Sequence, residues 1–312
     1  MNIKVLVLVR LYNFSLFVFI CQALADKNTN RNYKTHLHLV TILKNNLSKE
    51  DKNMAYDINP WAQKEARKHQ AAAHTQLMDK LYSPEIDTCS VNTKIYSDTV
   101  SMHHSQIDTK CEIVLLDTDT VSAARNNAVG KTAVLNFASY KLPGGMFIEG
   151  SIAQEEALCH ESFLYNVLGQ QTNYYAWNNK NKNRAMYTNR ALYSPNVIFT
   201  QKDGSKDFVC DVITCAAPNF AAAKKYMNVS AAENSSILDD RCQFVLDIAE
   251  DNKVDTLILG AWGSGVFGQD AEEVARLFMK HLNQRAYSFK RVIFAVPKGV
   301  NGNYRKMAKV LQ

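Results

Sequence analysis

The sequence contains no C-x-x-C pair, and none of its seven cysteines (Cys21, Cys89, Cys111, Cys159, Cys210, Cys215 and Cys242) stands at zinc-ligand spacing. That excludes the cysteine-built zinc modules, whose ligands come in closely spaced pairs. No internal repeat occurs, which excludes solenoids and propellers. Neither sign of charge dominates: 36 Lys and Arg face 30 Asp and Glu, for a net +6. So mild a bias suits an acidic ligand without calling for DNA. No apolar run is long enough for a membrane span, since the best stretch, Leu11 to Cys21, is short and is interrupted at Asn13 and preceded by Arg10.

What is present reads as a globular protein of 312 residues, 46% hydrophobic and 21% charged. The first 25 residues stand apart. Lys4 and Arg10, a short apolar run and Ala23-Leu24-Ala25 form the pattern of a secretory signal peptide, with cleavage expected after Ala25 and export of the chain. Loss of Cys21 would leave six cysteines, an even number with room for one or two disulfides, although most read as buried thiols. Residues 26–85 read as a polar linker followed by an accessory helix. Pro60 opens that helix, and Ala62, Ala66, Ala73, Leu77 and Leu81 form its apolar face; it is expected to stop before Ser83-Pro84 and to carry no chemistry. His36, His38, His103 and His104 read as solvated side chains rather than metal ligands, and no metal or other cofactor is expected.

From residue 86 to residue 312 the chain alternates between strands and helices. Apolar runs at Glu112–Leu116, Thr132–Phe137, Asn196–Thr200, Phe208–Thr214, Val254–Gly260 and Arg291–Val296 read as strands. A helix is expected from about Gln154 to Leu168, its apolar stripe interrupted by Glu161. Another starts at Asp270, with Glu273 as its capping-box partner and Val274, Leu277, Phe278 and Leu282 as its buried face. Near-continuous apolar strands alternating with helices predict an α/β domain around a largely buried sheet. Tyr174, Tyr175 and Trp177 are expected to pack a loop rather than stack a base.

Ligands of α/β sheets bind at strand ends, and two strand ends here carry unusual residues. After the strand at Val134 comes, from Asn136, the run NFASYKLPGGMFIEGSIAQEE, in which Pro143-Gly144-Gly145 makes a turn where backbone approaches a ligand closely. Glu155 and Glu156 follow at a helix start, where acids are stabilised even without a function. After Leu257 comes GAWGSGVFGQD, with four glycines between strand and helix. Such a loop either presents N–H groups to a phosphate or serves only as a tight turn. It is neither a dinucleotide fingerprint nor a P-loop. Together, an anion cradle and a carboxylate pair on separate strand ends suit glycosidic chemistry on a phosphorylated sugar.

VLNFASYKLPGGMFIEGSIAQEEALCHESFLY resembles the signature of the microbial poly(ADP-ribose) glycohydrolases: an Asn-Phe-Ala strand end, a glycine-rich loop and Gln-Glu-Glu. LLDTDTVSAA (Leu115 to Ala124), DVITCAAPN (Asp211 to Asn219) and GAWGSGVFGQD resemble further segments of that family in the same order, over residues 60 to 300. The resemblance implies a macrodomain-like mixed sheet sandwiched between helices, with an N-terminal helical extension. It implies hydrolysis of ribose–ribose bonds in poly(ADP-ribose); nothing in the sequence demands an oligomer, and a monomer is expected. It also implies residue roles. Glu156 would be the general acid and then the base, protonated near pH 7 because burial or Glu155 raises its pKa. Glu155 would orient the scissile ribose, Gln154 would support the pair, and Asn136 would hydrogen-bond the distal ribose. Gly144 and Gly145 would let the loop approach, and Gly263, Ser264, Gly265, Val266 and Phe267 would cradle the diphosphate, with Phe267 also packing on the terminal ribose. Two positions depart from the family pattern. Met146 replaces a third consecutive glycine, its side chain either narrowing the approach or pointing away; Ser264 stands where relatives often have Cys. The alternatives are an ADP-ribose-binding macrodomain without activity, and a hydrolase of single ADP-ribose units or O-acetyl-ADP-ribose.

Overall fold

A computed structural model describes residues 60–98, 111–299 and 301–312. The signal-peptide reading, the polar linker and the four histidines at 36, 38, 103 and 104 fall outside the described residues. Chain contacts divide the molecule after Ala62, and the body from Gln63 to Gln312 carries everything below.

The elements run α1 (Pro60–Asn92), β1 (Lys94–Ser97), β2 (Glu112–Leu116), α2 (Thr120–Asn127), β3 (Thr132–Phe137), α3 (Gln154–His160), α4 (Leu164–Gln170), α5 (Thr172–Lys180), β4 (Arg190–Thr200), β5 (Lys206–Cys215), α6 (Phe220–Met227), α7 (Ala231–Asp251), β6 (Thr256–Leu259), α8 (Ala271–Gln284), β7 (Arg291–Ala295) and α9 (Asn303–Leu311). The strands form one seven-stranded sheet in the order β1-β4-β5-β3-β6-β7-β2. The pairs β3–β5, β3–β6, β6–β7 and β2–β7 are parallel, whereas β4 pairs antiparallel with both β1 and β5.

Strand side chains alternate between two faces, and the sheet feeds two cores accordingly. Ala133 and Leu135 of β3 join Leu257 and Phe294 in a core closed by α7, α8 and α9 through Leu238, Phe244, Val274, Phe278 and Met307. Val134, Ile258 and Ile293 join the other core, closed by Met78 of α1, Val121 of α2, Leu158 of α3 and Leu164 of α4. This is the expected mixed sheet between helical layers. The inner parallel strands β3, β6 and β7 are buried on both faces, so their ligand-binding ends are set by a rigid frame.

Several expectations are corrected. α1 continues past Ser83-Pro84 to Asn92, with Tyr82 at the kink (φ −133°, ψ 22°). Pro84 does interrupt the first segment but suits the first turn of the second, so the stop signal marks a bend. The buried face of α1 is Ala71, Met78, Ile86 and Cys89; Ala66, Ala73 and Leu81 are exposed. The helix predicted from Gln154 to Leu168 is two helices. Between them Thr200 N–H donates to Glu161 O (2.8 Å) and Phe163 N–H to Ile198 O (3.3 Å), so contact with β4 breaks the helix. Asp270 caps α8 by accepting from the N–H groups of Glu272 and Glu273, but the Glu273 carboxylate takes the Ser235 hydroxyl instead of closing a capping box. Leu277 and Leu282 are only half-buried on α8. β1 was not expected, and β4 starts six residues before the predicted Asn196. The six described cysteines are all free thiols, so none of them forms a disulfide. Tyr174 and Tyr175 pack as expected, and the Arg190 guanidinium stands 4.3 Å from the Trp177 ring centroid. Among the described residues no helix is long and apolar enough to cross a membrane.

Candidate active site

A cavity of about 890 Å³ opens at the carboxyl ends of the parallel strands. Its walls come from the chain leaving β2, β3, β5, β6 and β7, at Asp119, Phe137, Ala217, Ala261 and Val296 among others. Its volume is that of a nucleotide-sized pocket.

One wall is the chain from β3 to α3. Gln154 latches the start of α3 to the end of β3: its Oε1 accepts from Phe137 N–H (2.8 Å) and its Nε2 donates to Leu135 O (2.8 Å). Gln154 thereby aims the next two residues into the cavity. Glu155 is 3% and Glu156 6% exposed. Glu155 accepts from Ser139 N–H (2.7 Å) and from the Asn136 amide (3.2 Å). Glu156 accepts from Met146 N–H (3.0 Å). Burial pushes the Glu155 carboxyl up to about 8; the Ser139 and Asn136 donors pull it back and the charge of Glu156 adds to the rise. The buried pair therefore keeps a proton at neutral pH.

Gly145 explains why the loop lacks side chains here. A Cβ at this residue (φ +60°) would lie 2.8 Å from both Glu155 Oε2 and Glu156 Oε1. Any side chain would displace both acids. Met146 follows with its side chain 42% exposed at the cavity mouth and its backbone bonded to Glu156, so the departure from a third glycine leaves the acids undisturbed. α1 closes the far end of the loop: Arg67 Nε donates to Gly150 O (2.7 Å) and Lys68 pairs with Glu149 (3.3 Å).

The facing wall is the loop from Gly260 to Gly268. Both of its ends are tied. Trp262 is buried with its Nε1–H on Cys215 O (3.2 Å), and Gln269, also buried, donates its N–H to Gly263 O (3.0 Å). The middle is open. Nothing stands within 4 Å of a Cβ built on Gly265, and Val266 is 90% exposed. Among the described residues the N–H groups of Gly265, Val266 and Phe267 donate to no protein acceptor. Consecutive free N–H groups in a glycine loop make an anion cradle. Phe267 flanks it, packed on Tyr187 with ring centroids 6.1 Å apart.

The predicted residues divide into two groups. Gln154, Glu155, Glu156, Gly145, Gly263, Gly265, Val266 and Phe267 line the cavity. Asn136, Gly144 and Ser264 lie behind its surface. Asn136 is fully buried, donating to Glu155 and to Thr214 Oγ1 (3.3 Å), so in this state it positions the acid rather than facing a ribose. Gly144 (φ +63°) lets the loop fold against the Tyr165 ring, 2.7 Å from a built Cβ. The Ser264 hydroxyl is buried without a partner among the described residues. Sequence reasoning missed Ser139, whose backbone holds Glu155, and the wall residues Tyr187 and Asn219. It also missed the clamp from α1, which no local pattern announces.

The catalytic-domain model of the microbial-type PARG family matches residues 50–202. The chain is similar to the poly(ADP-ribose) glycohydrolase of Deinococcus radiodurans, solved in complex with ADP-ribose: 31% identity over 73% of this chain and 97% of that one, TM-score 0.64. It is also similar to the poly(ADP-ribose) glycohydrolase of Thermomonospora curvata, solved with the inhibitor ADP-HPD: 27% identity over 78% of this chain and 99% of that one, TM-score 0.67. No curated protein matches.

Proposed function

The chain belongs to the microbial-type poly(ADP-ribose) glycohydrolase family, and on that premise we propose that it hydrolyses the ribose–ribose O-glycosidic bonds of ADP-ribose chains, with Glu156 as general acid and base. The observation that carries the residue roles is the pairing of Glu155 and Glu156 around the bare Cα of Gly145, across one cavity from a loop of free N–H groups.

The diphosphate lies on the Gly263–Phe267 loop, whose donors need no rearrangement to meet it. Burial raises the Glu155 carboxyl, so the pair keeps a proton that is available to Glu156, while Glu155, held by Ser139 and Asn136, orients ribose hydroxyls. Glu156 protonates the ribose oxygen leaving the anomeric carbon. As that bond breaks, an oxocarbenium-like centre forms. Water adds to it, Glu156 takes the proton from the water, and the acid is restored. Met146 N–H holds Glu156 in place through the cycle.

Two further readings share the same pocket: binding without cleavage, and removal of single ADP-ribose units. Presenting poly- and mono-ADP-ribosylated protein side by side separates them. Release of free ADP-ribose from the polymer is the expected result. Release only from the mono-modified protein, or binding with no release from either, overturns the proposal.

A further inference from the structure

Arg241 of α7 is 1% exposed, and among the described residues no carboxylate pairs with it. Its guanidinium donates from Nε to Asn189 Oδ1 (2.6 Å), from Nη1 to Ala216 O (2.6 Å) and from Nη2 to Met186 O (3.4 Å). All three acceptors are neutral. Burying a guanidinium without a counter-charge is costly, and dipoles offset only part of that cost. Arg stays charged in a protein interior, so the cost is not relieved by losing the proton.

The groups that Arg241 holds belong to the cavity wall. Ala216 and Met186 are chain neighbours of Ala217 and Tyr187, which both line the cavity. The same wall carries the cradle. A Cβ on Gly263 would stand 2.8 Å from the Ala217 Cβ, and Phe267 packs against Tyr187 and Ala216. The cation therefore sits one residue behind the surface on which a diphosphate would rest. Arg241 is itself buried, so its field is screened less than that of a surface charge.

We propose that Arg241 is the buried counter-charge of the ligand's diphosphate, a positioning residue that raises affinity for a nucleoside diphosphate through the wall without touching it. This rests on the ADP-ribose reading of the cavity. The bound diphosphate supplies the negative charge that the protein leaves out.

Arg241 also ties down a strained strap, since Asn183, Arg184, Ala185 and Tyr187 all have positive φ. The test must therefore separate charge from support. Calorimetric titration of ADP-ribose and of adenosine, which lacks phosphate, into wild type, Arg241→Gln and Arg241→Lys does so. The expected result is a loss of about tenfold in ADP-ribose affinity for Arg241→Gln, unchanged adenosine affinity, and recovery of most of the loss in Arg241→Lys. Equal weakening of both ligands, or an Arg241→Gln variant that binds ADP-ribose like wild type, overturns the proposal. If the variants do not fold, wild type alone decides. Its preference for ADP-ribose over adenosine should survive at roughly 1 M salt, where the Debye length falls to about 3 Å, and loss of that preference overturns the proposal. Failure of wild type to bind ADP-ribose at all would instead sink the proposed function, an outcome distinct from either of these.

Discussion

After β3 the chain is cross-tied by side chains: Gln154 to the strand, Asn136 and Ser139 to Glu155, Met146 to Glu156, Arg67 to Gly150. After β6 the chain is tied at Trp262, Gln269 and the Phe267 carbonyl, and among the described residues the N–H groups of Gly265, Val266 and Phe267 are left without an acceptor. The difference follows from what each loop has to do. An acid that transfers a proton must be held in one place before the substrate arrives, because a small misplacement costs much of the rate. A cradle for an anion needs donors that the protein has not already used. Satisfied hydrogen bonds mark the loop for chemistry, and unsatisfied ones mark the loop for binding.

That division can be broken or sharpened by substitution. The largest effect is expected from Glu156→Gln, which removes the proton donor and should lower kcat on the order of a hundredfold or more; a smaller loss would move the acid's role elsewhere. Gly145→Ala comes next. Its Cβ would press on both carboxyls from a backbone conformation that alanine resists. Its kcat should fall by roughly a hundredfold at most, the scale of a misplaced group, while ADP-ribose binding changes less. A Cβ at Gly265 meets nothing within 4 Å, so Gly265→Val should be tolerated by the fold while covering the free N–H groups. It should raise KM several-fold with kcat and melting temperature near wild type.

A further effect is on stability. The folded pKa of Glu155, about 8, lies above its ordinary value of 4.5, so the native chain keeps a proton that the unfolded chain gives up. The contribution of Glu155 to stability is therefore full below about pH 4.5, falls as pH rises towards 8, and levels off above. Glu155→Gln should abolish that slope, which melting curves across this range would read; an unchanged slope would assign it to other groups. The mildest change is Arg67→Met. It removes one hydrogen bond to Gly150, a contribution of about 1 kcal/mol, and should lower kcat slightly without altering ADP-ribose affinity.

Much of this was legible in sequence because the informative patterns are local. The two glycine-rich strand ends, the Gln-Glu-Glu helix start and the Asp270 cap all depend on neighbours within a few residues. What was illegible depends on distant ones. β1 has only four residues, too few to show a period. The break at Glu161 is made by β4, and the Pro84 bend is bridged because α1 packs on the sheet through Ile86 and Cys89. Asn136 was placed at the ribose only by the resemblance; in the structure its side chain is turned to Glu155 and Thr214, contacts that no local pattern shows. Arg67 and Arg241 each act across more than twenty residues of chain on a carbonyl of another element, and no spacing rule reaches that far.

The most direct test places Glu156→Gln and Gly265→Val side by side, measuring for each the ADP-ribose dissociation constant and the single-turnover rate at saturating polymer. The division of labour predicts a crossed result: Glu156→Gln keeps the wild-type dissociation constant and loses the rate, whereas Gly265→Val binds more weakly and keeps the rate. Loss of both properties in both variants would contradict it.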